Sequence, residues 1–386
     1  MEEKNNRFKM FQAVAVMVGY IVGVGMFGLP YLTTKAGFIA FFLFLIGLGF
    51  IQYLIHLVYS NLIIVTDSFH RLPGYVEKYL GKKAKNIAFA SKMIGNYGAL
   101  LAYFILIGIF LNELFQGYFG GTPFVYTIIA FIVSTIIVYF GIGIMAKAEL
   151  VMSFLLFFII IAMATRSFSS IESINFIAID WKYVLLPYGA MLMALDGNGS
   201  LPIVAKILDK DPKKIKKVIR ISLLTAIFIT VLFVITVVGV SGSNTTPDAL
   251  TGVKSTIKGV VITLALIFGV LTMLTSIIGV AESVKETYWW DYGVPKNLAF
   301  LLAVCIPFGL FLLGLTDLIS VISFAGAIAG GVSAIMLILV FMHFKKMGKE
   351  TLMFSYKPGK GISYIIIIFL GMGIVYEVFY FINKLI

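Results

Sequence analysis

The stretch VGVGMFGLP, residues 22–30, decides how this chain is read. Gly23, Gly25 and Gly28 have the G-x-G-x-x-G spacing of a dinucleotide-binding loop. That reading needs a strand before the motif, an amphipathic helix after it and an acidic residue about 20 residues on. Here both flanks are apolar, and no Asp or Glu occurs between Lys4 and Asp67. The glycines serve another purpose.

Around them lies a chain of 386 residues that is 60% apolar and 12% charged. Soluble domains run at roughly 45–50% and about 25%. Mean hydropathy is +1.03. These values describe an all-α polytopic membrane protein. A crossing takes about 20 mostly apolar residues. Eleven segments qualify: 9–33, 37–65, 90–116, 123–143, 148–167, 181–205, 217–241, 256–282, 297–314, 318–342 and 362–383. The first is expected to stay as a membrane helix rather than be cleaved as a signal peptide. Connections are short, so residues 1–386 form one transmembrane domain. The single cysteine, Cys305, excludes an intramolecular disulfide.

Lysine and arginine set the orientation. With the N-terminus in the cytoplasm, 24 of the 30 fall on that side, including six around 66–92 and seven in 206–220. The other six are Lys35, Arg166, Lys182, Lys254, Lys258 and Lys384. This places the protein in the cytoplasmic membrane with its C-terminus outside. It also accounts for the net charge of +12 without nucleic acid. The run from Lys206 to Arg220 reads as a lipid-facing anchor. Phe69 to Lys83 reads as a short amphipathic helix on the cytoplasmic face.

An unpaired backbone N–H or C=O costs several kcal/mol in hydrocarbon, so breaks in membrane helices survive only where protein or water covers them. Gly19, Gly23, Gly25, Gly28 and Pro30 fall within twelve residues. They predict two half-helices with an unwound link near 23–27. A second break is expected in YGAMLMALDGNGSLP, residues 188–202. Gly25, Leu29 and Pro30 align with Gly197, Leu201 and Pro202 at an offset of 172 residues. Interrupted helices in the first and sixth segments point to a transporter built from repeats, and five helices per copy invert the second one. Freed N–H groups at a half-helix start bind carboxylates, and freed carbonyls bind cations. A pocket offering both suits a zwitterion. Close helix packing also explains glycines in the first segment. It does not explain a midmembrane acid, Asp196.

The segment GVGMFGLPYLTTKAG (23–37) resembles the helix 1 motif of the amino acid–polyamine–organocation (APC) superfamily. LDGNGSLPIVAKILDKDPKKIKKVI (195–219) resembles the sixth helix and following basic loop of its amino acid/auxin permease branch. The resemblance implies the LeuT fold: inverted repeats of five helices, about 9–167 and 181–342, with an extra helix at 362–383 and helices 1 and 6 discontinuous. It implies that Gly23, Val24, Gly25 and Met26 hold a substrate carboxylate. Leu195, Asp196, Gly197, Asn198 and Gly199 frame the ammonium and side chain. Tyr103 matches an aromatic residue that closes over substrate, or is a packed tyrosine. Thr275 and Ser276 resemble sodium ligands, completed by carbonyls of Gly19 and Val22, although such hydroxyls also bond their own helix. The fifth segment has no lysine past Lys147, which weakens one proton mechanism.

Asp196 can carry a coupled proton, pair with a cationic group or hold the link by accepting backbone N–H bonds. His56 reads as a hydrogen-bonded packing residue or a proton relay. Glu113, Glu149 and Glu282 sit near helix ends, and Glu377 reads as a protein interface. TYWWDY (287–292) reads as an interfacial belt. No Walker loop, His/Cys cluster or nucleophile–base pair occurs, so enzyme and ATP-driven pump readings lack residues and no cofactor is expected beyond Na⁺ or H⁺. The expected activity is ion-coupled amino acid transport by alternating access. The rivals are a sensor that binds in the same pocket without net transport, and a channel. Nothing in the sequence sets the oligomeric state.

Overall fold

The computed structural model describes residues 2–67, 70–140, 145–254, 259–346 and 360–385. Phe69, Lys258, Lys349 and Lys357, which entered the loop and charge readings, lie outside the described residues, as do the side chains of Lys147 and Glu149. The helices are α1 (Glu2–Ile21), α2 (Val24–Ala36), α3 (Phe38–Val65), α4 (Leu72–Leu80), α5 (Lys82–Phe119), α6 (Pro123–Phe140), α7 (Met145–Ser167) and α8 (Tyr188–Ala194). They continue with α9 (Leu201–Ile207), α10 (Pro212–Ser241), α11 (Leu250–Val253), α12 (Val260–Glu286), α13 (Lys296–Leu312), α14 (Leu318–Gly326), α15 (Ser333–Lys346) and α16 (Lys360–Leu385).

Among the described residues, six helices are long and apolar enough to cross a membrane, or seven when α1 and α2 count as one span bent by 50°. Shorter apolar helices cover Pro123–Tyr139, Leu155–Ser170 and Lys296–Leu312. The sixth sequence segment, 181–205, is largely not regular helix: turns occupy its first residues, and α8 begins only at Tyr188. A π-helical stretch, Ala327–Val332, joins α14 to α15. Such bulges often mark functional sites.

Several helix ends find backbone partners in distant segments. The corner between α2 and α3 is Gly37, at φ +92°, a conformation that favours glycine. There Phe38 N–H and Ile39 N–H donate to the carbonyls of Ile177 and Ala178, and Asp180 N–H donates to Ala36 O. The segment between α7 and α8 thus caps the start of α3. At its other side Glu172 N–H and Asn175 Nδ2 donate to Gly239 O near the end of α10. Ion pairs gather at two ends. Lys9–Asp209 and Arg71–Glu286 lie at one, and Lys254–Glu113 and Lys384–Asp317 at the other. Glu282 pairs with Lys285 on its own helix.

The core packs α12 on α5 and α7, α14 on α8 and α5, and α1 on α10. The amphipathic helix expected at 69–83 is α4. It packs against α5 and α15, with Leu72, Tyr75, Val76 and Tyr79 buried. The protein that Glu377 meets is its own chain. Glu377 is 1% exposed, and its Oε1 accepts from Gly189 N–H at 3.3 Å. Nearby, the Tyr188 hydroxyl donates to Leu370 O at 3.0 Å. These bonds tie α16 to α8.

Glu377→Leu strands the Gly189 N–H in the interior, whereas Glu377→Gln keeps an acceptor. The leucine variant is expected to lose about 1–3 kcal/mol of stability. It should show a lower Tm in detergent than the glutamine variant.

Candidate functional site

Two chain breaks meet at the centre of the molecule. The first is shorter than expected, only Val22 and Gly23 between α1 and α2. Gly25 and Met26, expected in an unwound link, lie in the first turn of α2. Met26 N–H donates to Gly23 O at 3.2 Å, and the helix restarts there. Pro30 sits inside α2 rather than ending it. Lacking an N–H, it frees the Met26 carbonyl from its usual i+4 donor. Gly23 is the N-cap, with an extended backbone and no side-chain cap. Glycine has no side chain with which to cap the opening amides of α2.

The second break runs from Leu195 to Ser200, between α8 and α9, and includes a 3₁₀ turn at Asn198–Ser200. Shifted by the 172-residue offset, Val22 and Gly23 fall on Ala194 and Leu195, where this break begins. Asp196 Oδ1 accepts from Asn198 N–H at 3.0 Å, so Asp196 does hold the link. Gly197 O accepts from Ser200 N–H and from Ser200 Oγ at 2.7 Å. Gly197 N–H donates to His56 Nε2 at 3.0 Å.

The two breaks touch backbone to backbone. A Cβ on Gly25 would stand 2.6 Å from Ala194 N. One on Gly23 would stand 2.9 Å from the Tyr103 hydroxyl, and one on Gly199 would strike the ring of Tyr20. In this region the glycines serve close approach as much as unwinding.

A cavity opens beside the contact, lined by Gly23, Val24, Gly25, Tyr103, Asp196, Asn198 and Gly199. Met26, Leu195 and Gly197 are close but do not line it. Met26 and Leu195 are buried in the core, and Gly197 faces His56 and Ile21. Asn198 Oδ1 is buried without a partner among the described residues. The residues of the expected ion site lie on two helices and the first break. Gly19 is in the last turn of α1, which packs mainly on α10 and α7, and Val22 is in the break that follows it. Thr275 and Ser276 are on α12, which packs mainly on α5 and α7. The Thr275 hydroxyl donates to Thr272 O within its own helix at 2.8 Å.

Sequence reasoning missed several lining residues. Lys92 was counted with the loop charges. In fact α5 starts at Lys82, and Lys92 lines the cavity with Asp196. Among the described residues it forms no ion pair. Asn96 lines it one turn on, with Nδ2 unpartnered. Lys92, Asn96, Ala99 and Tyr103 recur at three- or four-residue steps, a one-sided polar pattern that the sequence contained. Tyr20, Tyr59 and Arg71 carry no such signal. Arg71 closes one end of the cavity, its Nη2 2.6 Å from Glu286 Oε2 and its Nη1 3.3 Å from Gly199 O. Burial works to lower the Arg71 pKa, but the charge and hydrogen bond of Glu286 outweigh it and raise the value, so Arg71 stays charged.

Known proteins were compared with this chain. The model of the tryptophan/tyrosine permease family matches residues 6–377. None of the curated proteins matches the sequence. Among solved structures, the crystal structure of MhsT in complex with L-phenylalanine is similar, with a TM-score of 0.71 and 17% identity. The likeness covers 94% of this chain and 98% of that one. It concerns the fold, which is that of LeuT-type transporters.

Gly23→Ala is expected to lower Tm, because the new methyl meets the Tyr103 hydroxyl. Adding Tyr103→Phe should recover most of the loss, since the next ring atom is 3.9 Å away. Gly25→Ala should have no such rescue, because its obstacle is backbone. Thermal unfolding of the two single variants and the double variant checks both statements.

Proposed function

The chain belongs to the tryptophan/tyrosine permease family, and from that membership and its central cavity we propose a secondary active transporter of aromatic amino acids. It is a membrane permease of amino acids and not an enzyme. The observation that carries the substrate reading is the meeting of the two breaks. Val24 and Gly25, at the start of α2, and Asp196, in the second break, line one cavity.

In this reading the substrate carboxylate takes the amides of Val24 and Gly25, and Gly23 leaves room for it. A half-helix start favours negative charge. The ammonium goes to Asp196 and to Asn198 Oδ1. The ring lies on a wall of small residues, Gly95, Ala99, Ala325, Gly326, Ala329 and Gly330. A flat wall accepts a flat ring and leaves branched side chains poorly packed. Asn96 offers a hydrogen bond to a phenol or an indole N–H. That MhsT was crystallised with L-phenylalanine supports an aromatic substrate on this fold.

We assign eleven spans to the described helices: α1–α2, α3, α5, α6, α7, α8–α9, α10, α12, α13, α14–α15 and α16. The first five and the next five form two copies of opposite orientation, and α16 stands outside them. The 172-residue match between the breaks supports this. The N-terminus lies in the cytoplasm and the C-terminus outside. Transport proceeds by alternating access, with α1–α2 and α8–α9 rocking against the remaining helices, coupled to Na⁺ or H⁺. If the ion is Na⁺, carbonyls of Gly19 and Val22 with Thr275 and Ser276 are its ligands, and Thr275 gives up its bond to Thr272.

The test is uptake by purified protein in proteoliposomes, using labelled tryptophan, tyrosine and phenylalanine beside a non-aromatic panel. An inward Na⁺ or pH gradient is imposed. Saturable, gradient-driven uptake of the aromatic members is expected. Asp196→Asn should weaken tryptophan binding by about tenfold, equivalent to ~1.4 kcal/mol. Absence of saturable movement of any amino acid would sink the reading. Binding without flux would replace it with a sensor.

A further inference from the structure

Gln52, His56 and Ser60 recur every fourth residue of α3 and share one face of it. None is more than 1% exposed. At 1.5 Å per residue the three span about 12 Å of helix. Among the described residues, both polar atoms of Gln52, His56 Nδ1 and Ser60 Oγ have no hydrogen-bond partner. A buried polar atom without a partner is costly, and ordered water is its usual remedy. One orphan is ordinary. A file of them, one per turn, is a path that water can occupy.

The middle member touches the second break. Gly197 N–H donates to His56 Nε2. That bond uses the Nε2 lone pair, so the neutral ring carries its proton on Nδ1, which meets no acceptor among the described residues. A protonated imidazole has no lone pair left and cannot accept from Gly197 at all. The present geometry of the break and a protonated His56 therefore exclude one another. Such an exclusion is what couples an ion to a conformational change: each occupancy state favours a different shape.

We propose that the Gln52–His56–Ser60 face of α3 is a proton-binding site, with His56 the acceptor of the proton that drives the transport proposed above. The proposal rests on that reading of function and names its coupling ion. In the step, hydronium reaching the face gives its proton to Nε2. An N–H bond forms, a water molecule is left, and the hydrogen bond from Gly197 breaks. The link between α8 and α9 is then free to move.

On the link, Asp196 is the charged residue next to Gly197, whose amide meets His56. The charged groups on the other elements packed on α3 lie toward helix ends. They are Lys35 on α2, Lys206 on α9, the basic opening turns of α10, and His343 and Lys346 on α15. The imidazolium is thus drawn toward the break and not to a competing acid on those helices.

The test uses the full chain in proteoliposomes loaded with a pH-sensitive dye, with tryptophan added under an inward pH gradient. The wild type is expected to accumulate tryptophan, and the addition should acidify the lumen. His56→Gln keeps an oxygen that can accept from Gly197 but does not titrate. Its pH-driven accumulation and evoked acidification should be lost, while tryptophan counterflow, which moves no net proton, falls far less. The pH dependence of wild-type tryptophan binding between about pH 5 and 8 should flatten in this variant. Should His56→Gln not fold, Gln52→Leu combined with Ser60→Ala removes the flanking orphans. That variant should slow pH-driven uptake more than counterflow.

Equal proton movement in His56→Gln and wild type would overturn the proposal. So would flanking substitutions that leave the ratio of pH-driven uptake to counterflow unchanged. Wild-type uptake driven by Na⁺ alone, with no proton movement, would overturn it while leaving transport standing. No saturable uptake by the wild type would overturn the transport reading and this one with it.

Discussion

In hydrocarbon a helix satisfies its own backbone, and any break must find replacement partners inside the protein. Much of this structure supplies those partners. At the second break His56 accepts from Gly197, Asp196 accepts from Asn198, and Ser200 donates to the Gly197 carbonyl. Glu377 accepts from the amide of Gly189 at the start of α8. The carbonyls of Ile177 and Ala178 do the same for α3. Asp196 and Ser200 act within the break itself, whereas His56, Glu377 and the Ile177 and Ala178 carbonyls come from elements far away in sequence. At the first break the N-cap is Gly23, which has no side chain to cap α2, and Val24 and Gly25 line the cavity.

Charges in the cavity are few, and their low-dielectric setting makes each one count. Arg71 is committed to Glu286 and to Gly199 O, which joins the loop after α3, the end of α12 and the second break at one end of the cavity. That leaves Asp196 and Lys92 as charges of opposite sign on its wall. The rest of the wall is small residues, tyrosines, two asparagines and aliphatic side chains such as Ile21, Leu192 and Met193. This balance suits a zwitterion with an apolar, planar side chain. It does not suit a polyanion, despite the basic composition of the chain.

The last helix, α16, is not a bystander. Glu377 and the Leu370 carbonyl grip Gly189 and Tyr188, so α16 is fastened to α8 beside the second break. A carboxyl group in a lipid-facing helix looks from sequence like a subunit interface. Its partner is instead a backbone amide 188 residues away in the same chain.

The membrane class, the two interrupted helices and the association of Gly23, Gly25, Asp196 and Asn198 with one site were legible without coordinates. Hydrocarbon tests composition and glycine content locally, along each span, and the sequence records both directly. The extent of the first link was not legible, because the helix restarts at Val24 through a bond to Gly23 O that glycine content does not reveal. Nor were the partners. Lys92 falls in the third apolar segment, 90–116, and nothing there shows that it lines a cavity with Asp196, while His56, Arg71 and Glu377 gave no hint of which amide, carbonyl or acid they meet. Those pairings cross 100 residues or more of chain, and only the packing of whole helices decides them.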